Sequence, residues 1–199
     1  MPRSATYTAL DFNPAGWLKA RSLPVRVAVV AGCVVALSVI SYAEVPMVPV
    51  PVTLQTLGVT LAGALFGWRR GALAVALWLL AGALGLPVLS GGGSGYRHFL
   101  GPTAGYLFAF PLAAMLTGWL AERGWTGEAM TMALLSMLAG NGLCLLIGWA
   151  WLAAGIGMEQ AFIHGVAPFL IGAGLKAAFG AALLRALAGL MQHRQQRRL

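Results

Sequence analysis

Lys176 stands in the middle of a largely apolar run, residues 165–191, whose other charge is Arg185 near its end. Counted as a helix from Pro168, it lies about 12 Å along the axis at a rise of about 1.5 Å per residue. An ammonium at that depth costs several kcal/mol unless it faces a bundle interior, a wet cavity or a counter-charge. Gly172, Lys176 and Gly180 are spaced by four, share one helix face and leave room for a ligand beside the ammonium. No Asp or Glu falls inside an apolar run, and Glu44 and Glu159 are expected at the outer rim. The expected partner is an anion carried in by a ligand. The competing reading is a lysine that snorkels outwards or pairs with a structural carboxylate.

Arg97 lies in the glycine-rich stretch Gly91-Gly92-Gly93-Ser94-Gly95-Tyr96-Arg97-His98. Glycines such as Gly92 permit unusual backbone angles and close approach to a ligand. An arginine there can grip a carboxylate through two parallel hydrogen bonds. A solvated loop charge is the competing reading. The amides of Gln55 and Asn141, the hydroxyls of Thr53 and Thr103 and the rings of Trp78 and Tyr106 could line a pocket that is apolar with a few polar groups. Gly92-Gly93-Ser94-Gly95 also matches a short pattern of rhomboid proteases, but Ser94 sits mid-loop before Pro102, with only His98 and His164 as candidate bases. No catalytic residue is expected. Cys33 and Cys144 lie in apolar runs without metal-ligand spacing, so neither a metal nor a cofactor is expected.

The elements that must position these side chains are membrane spans. The chain has 199 residues, 59% hydrophobic and 9% charged, far short of the charge that a soluble surface requires. Its 27 glycines suit close helix packing in lipid. Apolar runs fall at 24–43, 53–67, 71–89, 103–121, 129–154 and 165–191. The expected fold is therefore an all-α integral membrane protein, a compact bundle of six transmembrane helices. A tail of residues 1–23 (interfacial from about Trp17), a membrane domain of 24–192 and a basic tail of 193–199 complete it. Ser41-Tyr42-Ala43 resembles a signal-peptidase site, but a long polar stretch precedes the first run, so it is expected to remain a span.

The second run is short unless the stretch holding Pro46, Pro49 and Pro51 also lies at membrane depth, which points to a site near residues 46–56. With the N-terminus inside, six spans place Arg3, Lys19, Arg21, Arg26, Arg69, Arg70, Arg123, Arg194, Arg197 and Arg198 on the cytoplasmic side. Arg185 snorkels to that side, and the outer side receives only Arg97. Both termini are thus expected to be cytoplasmic. The net charge of +8 is spread over run ends and forms no basic stripe among aromatics, so no nucleic-acid partner is expected. Ala28, Gly32 and Ala36 form a small-residue stripe that suits close packing, either within the bundle or against another membrane subunit. No glycine-rich loop followed by Lys-Ser/Thr is present, so ATP-driven work must come from a partner.

Three stretches carry a resemblance. Val50-Pro51-Val52-Thr53-Leu54-Gln55-Thr56-Leu57 resembles a signature of the BioY family, the biotin-specific S components of energy-coupling-factor (ECF) transporters. Gly85-Leu86-Pro87-Val88 and Leu100-Gly101-Pro102-Thr103-Ala104-Gly105-Tyr106-Leu107 are similar to two further motifs, in the same order. The resemblance implies biotin bound near the outer face of a multi-pass bacterial plasma-membrane protein. Loops 1–2 and 3–4 would help to close the pocket. Ala28, Gly32 and Ala36 would dock a transmembrane coupling subunit served by two cytoplasmic ATPases. A self-sufficient biotin carrier without ATPases is the alternative. On this basis Lys176 and Arg97 are expected to hold the carboxylate. The family often has an aspartate where Ala173 stands here, which puts one polar contact in doubt, with Asn141 or Gln55 as replacement acceptors.

Overall fold

The structure is a computed structural model that describes residues 21–196. Arg3, Lys19, Arg197 and Arg198, and most of the expected N-terminal tail, lie outside the described residues. Helix α1 (Leu23–Ile40) begins with Pro24 in its first turn, where a missing N–H costs nothing. It ends at Ser41, whose N–H and hydroxyl both bond to the Leu37 carbonyl. Only Cys33 and Leu37 of α1 are buried, so this helix lies along the edge of the bundle.

The proline-rich stretch then makes a small antiparallel hairpin. Strand β1 (Glu44–Val45) pairs with β2 (Val52–Thr53), with Glu44 opposite Thr53 and Val45 opposite Val52. Helix α2 (Gln55–Ala83) follows, and within it Gly67 adopts φ 80° and ψ 169°. That region of backbone space belongs almost only to glycine. A Cβ on Gly71 would come within 2.7 Å of the Ala62 carbonyl oxygen and the Gly63 Cα. In a straight helix residues 62 and 71 would stand roughly 13 Å apart. The chain therefore folds back at Gly67, and 55–66 and 68–83 pack against each other. The runs expected at 53–67 and 71–89 are thus joined by one glycine, and Arg69 and Arg70 belong to the helix after the turn.

Two short 3-10 turns, Ser90–Gly92 and Tyr96–Phe99, occupy the glycine loop. Helix α3 (Ala104–Ala121) packs most extensively on α2. Gly63 meets the backbone of Ala114 and the Thr117 side chain, and Gly118 meets the backbone of Gly67 and Trp68. The Thr117 hydroxyl reaches the Thr60 carbonyl at 3.1 Å. Close approach of backbones through small residues replaces hydrophobic burial as the source of packing energy in lipid. Helix α4 (Met130–Ile156) lies on α3, and α5 (Met158–Gly165) is a short helix not expected from the apolar runs. Helix α6 (Phe169–Gln196) carries Lys176 and continues through residues 193–196, which were expected to form part of a tail. Among the described residues, five helices are long and apolar enough to cross a membrane: α1, α2, α3, α4 and α6.

The small-residue stripe does not pack inside the bundle. Ala28, Gly32 and Ala36 are exposed, and no atom lies within 4 Å of a Cβ placed on Gly32.

Candidate ligand-binding site

A cavity of about 520 Å³ opens between the β1–β2 hairpin, the glycine loop and helices α2, α3, α4 and α6. Pockets for small organic molecules span roughly 300–1,000 Å³, so this one is of suitable size. Pro46, Met47, Val48, Val50 and Pro51 of the hairpin line it from one side. The proline-rich stretch, expected near a site, thus lines the cavity. Leu107, Phe110, Leu145, Phe169 and Ala173 supply an apolar wall.

Lys176 lines the cavity. Its Nζ donates to the Thr53 carbonyl at 3.0 Å, across 123 residues of sequence. No carboxylate of a described residue lies within ion-pair distance of it. Phe169, Ala173 and Lys176, at spacings of four and three, are the α6 residues that face the cavity. The strip expected to do so, Gly172–Lys176–Gly180, is not the facing one. Gly180 instead packs on Leu57 and Met137, and nothing lies within 4 Å of a Cβ on Gly172. Ala173 is part of the wall.

Thr53, Gln55, Thr103, Tyr106 and Asn141 also line the cavity. Gln55 is 4% exposed and locked: its Nε2 donates to the Ser41 hydroxyl at 3.2 Å, and its Oε1 accepts from the Thr53 hydroxyl at 3.2 Å. This network ties the end of α1 to the start of α2 and sets the carbonyl that Lys176 uses. The Tyr106 hydroxyl donates to the Gly165 carbonyl at 2.7 Å, which leaves the ring as its contribution to the wall. Asn141 donates Nδ2 to the Met137 carbonyl at 2.9 Å, and its side-chain oxygen accepts from no described residue.

Three expected residues fall elsewhere. Trp78 is 0% exposed; its Nε1 donates to the Val88 carbonyl at 2.8 Å and its ring stacks on Phe110 at 5.9 Å. It backs Phe110, which lines the cavity, and does not line it. Gly92 has φ 80° and lies beside the Tyr42 ring, where a Cβ would meet it at 3.1 Å. It shapes the loop and is not in the wall. Arg97 is exposed and outside the wall, so the expected two-cation clamp with Lys176 is not formed in this structure. Ser94 is likewise exposed and outside the wall.

The wall also contains residues that the motifs did not single out. Glu44 of β1 accepts a hydrogen bond from the Ser90 hydroxyl, and both line the cavity, which pins the hairpin to the glycine loop. His98 and Cys144, with Thr56 of the first motif, complete the polar part. Glu44 was legible only as a residue at the end of a run, because its partner Ser90 lies 46 residues away.

A bundle of apolar helices around a pocket of this size, with Lys176 set among apolar groups, has the form of a membrane protein for a small organic solute. The comparisons with known proteins agree. The BioY family profile matches residues 9–193. "Probable biotin transporter BioY" of Pyrococcus horikoshii is 40% identical over 164 residues, 82% of this chain and 96% of that protein. "Biotin transporter BioY" of Rhizobium etli is 41% identical over 171 residues, 82% of this chain and 91% of that protein. The fold is similar to a crystal structure of the S-component for biotin from an ECF-type ABC transporter, with a TM-score of 0.75 at 24% identity. That match covers 84% of this chain and 94% of the other. The chain belongs to the BioY family and is a multi-pass plasma-membrane protein.

Proposed function

We propose that this chain is a biotin-binding S component that takes biotin from the outer face of the membrane. The observation that carries the reading is Lys176, a cation in an apolar cavity of about 520 Å³ with no carboxylate of a described residue paired to it. Biotin supplies the missing anion, and its ureido group and thioether ring suit a wall of a few polar groups among aliphatic and aromatic side chains. The names of the relatives, biotin transporters in two organisms, support the same substrate. Lys176 holds the carboxylate, and Asn141 offers its side-chain oxygen to a ureido N–H. Thr53 and Gln55 position Lys176, and Tyr106 and Thr103 cover the solute.

The chain crosses the membrane six times, because α2 counts as two passes that meet at Gly67. The turn at Gly67–Arg70, Arg123 and Arg185 belong to one end of the bundle. Gly67 and Trp68 meet Gly118, while Leu184 and Arg185 meet Gly127 and Glu128. That cation-rich end is cytoplasmic, which puts both termini inside and the cavity outside. The exposed stripe of Ala28, Gly32 and Ala36 docks an ECF coupling subunit, with cytoplasmic ATPases supplying the energy. Titration calorimetry of the purified protein against biotin, thiamine and riboflavin tests the substrate: biotin binds, and the other two do not. Uptake by proteoliposomes with and without the coupling subunit and ATPases tests the energy source. Full uptake without them would replace this reading by a self-sufficient carrier.

A further inference from the structure

Among the described residues, two side-chain polar atoms are buried without any hydrogen-bond partner: the hydroxyls of Thr56 and Ser136. Ser136 lies on α4 away from the cavity, whereas Thr56 is part of the cavity wall. The polar groups around Thr56 are committed to one another. Gln55 bonds to Ser41 and Thr53, the Thr53 carbonyl receives Lys176, and the Thr56 carbonyl receives the Thr60 hydroxyl at 2.9 Å. In the stretch from Thr53 to Thr56, the Thr56 hydroxyl is the side-chain polar atom left over.

We infer that Thr56 is a ligand-binding residue, whose hydroxyl pairs with a hydrogen-bonding group of the bound solute. This rests on the proposed biotin reading of the same cavity and assigns one contact within it. A threonine on a helix populates two side-chain rotamers, which exchange the positions of hydroxyl and methyl. Thr56 is partly exposed and lines the cavity although its hydroxyl is buried, and the other rotamer turns the hydroxyl to where the methyl now stands. A hydroxyl both donates and accepts, which suits either a ureido N–H or a ureido carbonyl. Valine has the same shape and no polar atom, so it would serve a purely structural position better, because an unpaired buried hydroxyl destabilises. Thr56 is the residue of the Thr53-Leu54-Gln55-Thr56 stretch with a polar atom still to offer.

The test compares Thr56→Val, Thr56→Ser and Ser136→Ala, with biotin affinity from calorimetry and melting temperature from thermal unfolding without biotin. Thr56→Val is expected to weaken biotin about 3- to 10-fold with an unchanged or raised melting temperature. Thr56→Ser is expected to hold affinity within about twofold, and Ser136→Ala to leave affinity unchanged while not lowering the melting temperature. Wild-type affinity in Thr56→Val overturns the inference while the biotin reading stands. Loss of affinity together with a lowered melting temperature makes Thr56 a structural residue and also overturns it. A wild-type protein that takes no biotin overturns both.

Discussion

Lys176→Met separates what the ammonium does for the fold from what it does for the ligand. Methionine keeps the length and volume of the side chain and removes the charge. In the protein without ligand two effects oppose. Relief of a cation at membrane depth is worth about 2.5–3.5 kcal/mol on insertion scales. Loss of the charged hydrogen bond to the Thr53 carbonyl costs about 1.5–3 kcal/mol. They cancel to within about 2 kcal/mol, so the melting temperature should move by only a few degrees. Nothing offsets the loss on the ligand side. A charge-assisted bond of about 1.5–3 kcal/mol corresponds to about 10- to 150-fold in Kd. The assay is calorimetry with biotin and with biotin amide, on wild type and variant, as a double-mutant cycle. Wild type should prefer biotin over the amide by a similar factor, and in Lys176→Met that preference should fall toward one. Unchanged biotin affinity would remove Lys176 from the site. Equal weakening of both ligands would place the ammonium at the ureido end and refute the carboxylate pairing.

Other perturbations follow from particular contacts. Arg97→Ala should cost less biotin affinity than Lys176→Met, because Arg97 is exposed and outside the wall; an equal or larger loss in calorimetry would show that the glycine loop closes onto the ligand. Gly71→Val should lower the melting temperature steeply, by about 3 kcal/mol or more of stability, since its Cβ meets backbone that cannot yield at Ala62 and Gly63; a wild-type melting curve would refute the fold-back at Gly67. A Cβ on Gly32 meets no atom within 4 Å, so for Gly32→Leu melting temperature and biotin affinity should hold while co-purification with the coupling subunit is lost. Retained assembly would exclude that face.

Sequence alone was enough for the solvent, the helical class, the lysine inside an apolar run and the motifs that mark the family. Each is a property of residues near one another in the chain or of composition. The contacts that make the site were not legible. Lys176 meets a carbonyl 123 residues away, and Glu44 meets Ser90 across 46. A lipid-facing surface and a protein-facing surface are both apolar, so periodicity does not tell which face of a membrane helix looks inward. For that reason Gly172 and Gly180 were expected beside the ligand, whereas the facing residues are Phe169 and Ala173. For the same reason Trp78 was read as pocket lining, although it is core behind Phe110. The tertiary structure also decided which polar groups are spent on the protein itself. Gln55 is committed to Ser41 and Thr53, and the Thr56 hydroxyl has no partner among the described residues. Satisfaction of a hydrogen-bonding group depends on neighbours in space, and no spacing along the chain encodes it.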